Sequence, residues 1–102
     1  MERLVEDHQR EIAALCCEFR VRRLELFGSA ATGKFRPESS DLDFLVEFAD
    51  LREGEWADSY FGLKEALERL LGRAVDLVMP TAVTNPYLER TIAATKTVVY
   101  AG

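Results

Sequence analysis

A chain of 102 residues is long enough for one hydrophobic core and too short for two. Hydrophobic residues make up 48% and charged residues 30%, an ordinary globular balance, and a net charge of −5 argues against a broad nucleic-acid-binding surface, which carries excess Lys and Arg. No apolar run approaches membrane-spanning length and no signal peptide precedes the first amphipathic stretch, so the expectation is a cytoplasmic single domain over residues 1–102.

Leu4, Val5, His8, Ile12, Leu15, Cys16 and Phe19 recur at three- and four-residue spacing and predict one amphipathic helix. His8 is the only histidine, which makes a His-based triad or a histidine-rich metal site hard to assemble, and it reads as a half-buried helix residue. The adjacent Cys16 and Cys17 suit neither a metal site nor a mutual bridge, and read as small residues on a partly buried helix in a reducing compartment.

Arg22 and Arg23 then lead into a short apolar strand, 24–27, that enters a Gly28-Ser29 turn. Gly28 permits unusual dihedrals and close backbone approach, while Ser29 and the amides after it can donate hydrogen bonds to phosphate at the start of a short helix. The loop 30–40 carries Gly33, Lys34, Arg36 and Pro37, turn signals flanked by positive charge. A second apolar strand, 41–48, opens with Asp41 and Asp43. Strand side chains alternate faces, so these two carboxylates share one face while Leu42 and Phe44 point into the core. Like charges side by side repel, and a divalent cation offsets that repulsion. Magnesium is the natural ion, because it takes one or two carboxylates together with phosphate oxygens and water. Phosphate donors on one side and metal ligands on the other describe a nucleoside triphosphate site. Glu47 lies on the same face but too far along the strand to join it.

A polar segment, 49–57, reads as a surface loop. Tyr60, Leu63, Leu67, Leu70 and Leu71 predict a second amphipathic helix that Gly72 closes, with Trp56 and Tyr60 expected to join the core at its start. The run 73–79 should add a third strand, in which Asp76 is a carboxylate too costly to bury without cationic compensation. Asp76 is therefore the candidate third metal ligand and general base. Asn85 caps and Pro86 opens a third helix with Tyr87, Leu88, Ile92 and Ala93 on its apolar face, and 97–100 closes the chain as an edge strand. The order predicts an α+β fold, a mixed β-sheet covered by helices.

Gly28-Ser29, followed by Ser40-Asp41-Leu42-Asp43 leading an apolar strand, resembles the signature of the polymerase-beta-like nucleotidyltransferase superfamily. Within it the chain resembles the small minimal nucleotidyltransferases, which occur as antitoxins beside helical HEPN-domain toxins. The resemblance spans roughly residues 20 to 100 and implies the polymerase-beta-like nucleotidyltransferase fold, Asp41, Asp43 and Asp76 as metal ligands and catalytic residues, and Gly28 and Ser29 as nucleotide-binding residues. It also implies two Mg2+ ions, about 3.5–4 Å apart in sites of this type, and ATP as donor. AMP would pass to a hydroxyl acceptor, in these relatives a tyrosine of the HEPN toxin. Direct nucleic-acid binding is not expected. The chain ends after the nucleotidyltransferase core, so the acceptor should arrive with a partner protein, or a homo-oligomer could complete the site. Thr32 stands where many relatives carry arginine, and the loop before Asp41 has one residue more than in many of them. The competing readings are an antitoxin that neutralises by binding alone and a dimeric small-molecule nucleotidyltransferase.

Overall fold

Three helical patterns with apolar faces and four short apolar runs have to be packed together, and the chain does this with a four-stranded sheet. The computed structural model describes residues 2–32, 41–52 and 54–102. The elements run α1 (Arg3–Asp7), α2 (Gln9–Glu18), β1 (Val21–Phe27), α3 (Ser29–Thr32), β2 (Leu42–Phe48), α4 (Glu55–Leu71), β3 (Val75–Val78), a single 3-10 turn (Pro80–Ala82), α5 (Pro86–Thr95) and β4 (Thr97–Ala101). Strand order is β3-β2-β1-β4. β1 lies antiparallel to both β2 and β4, whereas β2 and β3 are parallel, with α4 as their crossover. The predicted α+β class and mixed sheet are what the chain adopts. The loop features Gly33, Lys34, Arg36, Pro37, Ser39 and Ser40 lie outside the described residues.

Strand alternation divides the sheet into two unlike faces. On one, Leu24 and Leu26 of β1, Leu42, Phe44 and Val46 of β2, and Val75 and Leu77 of β3 form a continuous buried surface with Val5, Ile12, Cys16, Leu63, Leu67 and Leu71 from the helices. Eleven of these thirteen side chains, all but Leu71 and Val75, are sealed to 2% exposure or less, so α2 and α4 cover this face completely. Gly72 ends α4 at φ +65, donating its N–H to Glu68, as the C-terminal stop predicts. Asn85 accepts from the Tyr87 amide at 2.8 Å and Pro86 takes the first turn of α5, also as predicted.

Four local expectations are corrected. The single N-terminal helix is two helices that break at His8, whose φ of −116 and ψ of 19 leave the helical region. The His8 amide turns to the Val5 carbonyl, and the imidazole Nδ1 engages the Leu4 carbonyl at 2.8 Å in its place. Arg22 and Arg23 lie within β1 rather than ahead of it. Arg22 pairs with Glu47 at 3.3 Å, and Arg23 with the buried Glu25 at 3.2 Å. Trp56 does not join the core but stays 48% exposed, edge-on to Tyr60, while Tyr60 packs on the core and donates its hydroxyl proton to the Leu77 carbonyl. Of the four residues expected on the apolar face of α5, only Ile92 is buried; Leu88 is half-buried, and Tyr87 and Ala93 are exposed.

Cys16 and Cys17 are both free, the first buried and the second exposed. Burial, reinforced by its neighbour Cys17, pushes the Cys16 thiol up to about 12 and keeps it protonated and unreactive. No helix among the described residues is long and apolar enough to cross a membrane.

Candidate active site

The second face of the sheet carries two of the carboxylates singled out in the sequence, Asp43 and Asp76. Register places Phe27, Asp43 and Asp76 side by side across β1, β2 and β3. Adjacent strands lie about 4.8 Å apart, so the two carboxylates leave neighbouring backbones in the same direction. Leu42 and Phe44, on either side of Asp43, are fully buried on the opposite face, as the alternation of β2 requires. Asp41 precedes β2 and is exposed at its entrance.

Electrostatics link the three acids. Asp43 is half-buried, and its carboxyl is raised from 3.8 to about 6, first by burial, then by the negative charges of Asp76 and Asp41. No described Lys or Arg forms an ion pair with any of the three. Among the described residues, negative charge without a cationic partner is thus concentrated at one end of the sheet.

The turn predicted to bind phosphate meets this cluster directly. β1 ends at Phe27, the in-register neighbour of Asp43, and Gly28 follows with φ +75. A Cβ added at Gly28 would lie 2.8 Å from Asp43 Oδ2, so glycine is required here both for its dihedral and for its contact with the carboxylate. The Ala31 amide donates to the Gly28 carbonyl at 3.1 Å, folding the chain at once into α3, which starts at Ser29. Ser29 is therefore carried next to Gly28 at the same end of the sheet as Asp43.

Asp76 differs from expectation in one respect. β3 is an edge strand, and Asp76 is exposed rather than buried within the sheet. Its closeness to Asp43 therefore comes from parallel register, while its other side faces solvent. Two further polar residues escaped sequence reasoning. Glu25, 6% exposed on the same face as Asp43, is held by Arg23; alternation could have placed it there, but a lone Glu in an apolar strand gives no sign of its partner. Thr95, at the end of α5, accepts from the Gly28 amide at 2.9 Å. That contact spans 67 residues and has no local signal.

Among the described residues, no three His, Cys, Asp or Glu side chains are grouped so as to hold a metal ion. The donors present are carboxylate oxygens, the type that suits a hard cation completing its shell with phosphate and water. The chain therefore sets a glycine-serine turn against paired carboxylates on a mixed sheet closed by helices.

Comparison with known proteins agrees. The model of the nucleotidyltransferase domain family matches residues 9–99. The chain is 37% identical over 75 residues to a Methanocaldococcus jannaschii protein provisionally named a protein adenylyltransferase, covering 74% of this chain and 73% of that one. It is 35% identical over 85 residues to the protein adenylyltransferase MntA of Thermococcus cleftensis, covering 83% and 79%. A solved structure provisionally described as a minimal nucleotidyltransferase superposes with a TM-score of 0.75 at 34% identity, covering 95% of both chains. A complex of a tri-AMPylated Shewanella oneidensis HEPN toxin with MNT antitoxin shares the fold, with a TM-score of 0.64 at 19% identity over 96% of this chain and 73% of that one. The chain belongs to the nucleotidyltransferase domain family, as one of its minimal members, and is an enzyme of that class.

Proposed function

We propose that this chain transfers AMP from ATP to a tyrosine hydroxyl of a HEPN-domain toxin and thereby acts as its antitoxin in the cytoplasm. The observation that carries this reading is the pairing of Asp43 with Asp76 in register, directly against the Gly28-Ser29 turn. Support for the acceptor class comes from the relatives: two carry the name protein adenylyltransferase, and a fold neighbour is an MNT antitoxin bound to an AMPylated HEPN toxin.

Position supports the following roles. Asp41, Asp43 and Asp76 would hold Mg2+, with two ions as the expected number, and the negative charge that Asp76 and Asp41 add at Asp43 supports a site receptive to cations. Magnesium, when bound, neutralises triphosphate charge and eases ionisation of the acceptor hydroxyl. Ser29 and the amides that follow it donate to phosphate oxygens, and Gly28 keeps the turn close enough for ATP to lie over Asp43. Asp76 accepts the proton of the tyrosine hydroxyl from the solvent side of the edge strand. The phenolic oxygen then forms its bond to the α-phosphorus as the bond to pyrophosphate breaks. All of these groups lie on or beside one sheet with one core, which supports reading residues 1–102 as a single catalytic domain.

The test uses ATP labelled on the α-phosphate, magnesium, and lysate of the source cell, comparing the native chain with Asp43→Asn. The expected result is label on one protein band with the native chain only, and a modified tyrosine in that band by mass spectrometry. Label on a small molecule would point instead to a dimeric small-molecule enzyme. Absence of transfer, with a partner that co-purifies equally with Asp43→Asn, would leave an antitoxin that works by binding alone.

A further inference from the structure

The hydroxyl of Thr95 is committed twice. It donates its proton to the Thr91 carbonyl one helical turn back, at 2.6 Å, which leaves only lone pairs to offer elsewhere. One of these accepts from the Gly28 amide at 2.9 Å. The Gly28 carbonyl is engaged as well, by the Ala31 amide. Both main-chain polar groups of the residue that abuts Asp43 Oδ2 are therefore fixed, one by its own turn and one by a helix distant in sequence.

We propose that Thr95 is a positioning residue for nucleotide binding: its hydroxyl ties the last turn of α5 to the Gly28 peptide and so holds the Gly-Ser turn in register with Asp43. The inference rests on the nucleotidyltransferase reading of that turn. It also assigns α5 a purpose that its packing does not supply, since Ile92 is the only buried residue of the helix. The Gly28 amide, spent on Thr95, is not a phosphate donor; that task falls to the residues after it. Serine at 95 preserves both hydrogen bonds, whereas valine keeps the shape and loses the acceptor, which makes the two substitutions a discriminating pair.

The experiment measures binding of a magnesium complex of a non-hydrolysable ATP analogue to the full chain, alongside amide exchange at Gly28 by NMR. For Thr95→Val the expected result is about tenfold weaker binding and about tenfold faster Gly28 exchange, the order of effect of losing one hydrogen bond. Thr95→Ser should stay within about twofold of the native chain on both readouts. Equal weakening by Thr95→Ser and Thr95→Val would overturn the proposal, because Thr95→Ser keeps the hydroxyl on which the tether depends. Native-like binding by Thr95→Val, despite faster Gly28 exchange, would overturn it by making the tether purely structural. If Thr95→Val does not fold, the native chain decides: a slow Gly28 amide supports the tether, and one exchanging at the rate of a free peptide overturns it. A native chain that binds no nucleotide defeats the parent functional reading, an outcome distinct from one in which the native chain binds and the variants bind equally well.

Discussion

The two faces of the sheet are built from alternate residues of the same strands, yet they obey opposite rules. On the helical face, Leu42, Phe44 and Val46 are fully buried in one apolar cluster with α2 and α4. On the other face, Asp43 and Asp76 repel one another, Glu25 needs Arg23 beside it, and α5 buries only Ile92. One side holds the backbone so firmly that the other can keep groups in an unfavourable arrangement. Substitutions on the two faces should therefore fail differently, by unfolding on the first and by loss of chemistry on the second.

The largest effect is expected from Phe44→Ala. Phe44 lies at the centre of the helical face, and a cavity there should cost about 3–5 kcal/mol, a large part of the total stability of a domain this size. Denaturant unfolding would show a lower midpoint, with specific activity largely retained in the fraction that stays folded. Asp43→Asn, its neighbour in sequence, should do the reverse. Transfer falls by about a hundredfold or more, because a charged group aimed at the reaction is gone, while the melting temperature does not fall. If both variants lost stability alike, the division of labour between the faces would not hold.

Gly28→Ala ranks next and tests the junction of the two faces. Its methyl would enter within 2.8 Å of Asp43 Oδ2 on a residue held at φ +75, so about 1–3 kcal/mol of strain is expected. The observable is a weaker magnesium-dependent rise in melting temperature, since the turn or the carboxylate has to move. A variant with the native response to magnesium would show that the contact between turn and carboxylate is dispensable.

The same contrast explains which parts of the fold and site are legible in the sequence. The helical face is legible because burial imposes a period: Leu63, Leu67 and Leu71 mark α4, and Leu42, Phe44 and Val46 mark β2. The meeting of the Gly-Ser turn with Asp43 is legible from their spacing, whereas the burial cost argued for Asp76 does not arise, because an edge strand leaves it exposed and only parallel register brings it beside Asp43. What escapes are departures that leave the period intact and contacts with no local origin. His8 breaks the first helix without shifting the apolar register, as its ring takes over the Leu4 carbonyl. Trp56 and Tyr87 look like core residues by type, but exposure depends on what packs above them. Thr95 reads as an ordinary helix-terminal residue until the fold brings Gly28 to it.

The smallest effect is a pH dependence confined to the second face. Asp43 titrates near 6 in the folded chain against 3.8 as an ordinary side chain, so between those values the folded state binds more protons than the unfolded one. Stability contributed by this group therefore falls as pH rises from about 4 to 6, and the full cost is present at neutral pH. A shift of this size corresponds to about 3 kcal/mol at most, and for a half-exposed carboxylate solvent screening reduces it to about 1 kcal/mol. Without magnesium, Asp43→Asn should melt several degrees above the native chain at pH 7, and the difference should vanish near pH 4. Magnesium should then stabilise the native chain more at pH 7 than at pH 5, because above 6 the carboxylate is ionised and needs no proton displaced before it can bind a cation. Parallel melting curves for the two chains from pH 4 to 7 would mean that the acids at the end of the sheet are not in conflict. Divergence that develops between about pH 4 and 6 would identify Asp43 as the group that the helical face holds in place at a cost, ready for a cation to offset.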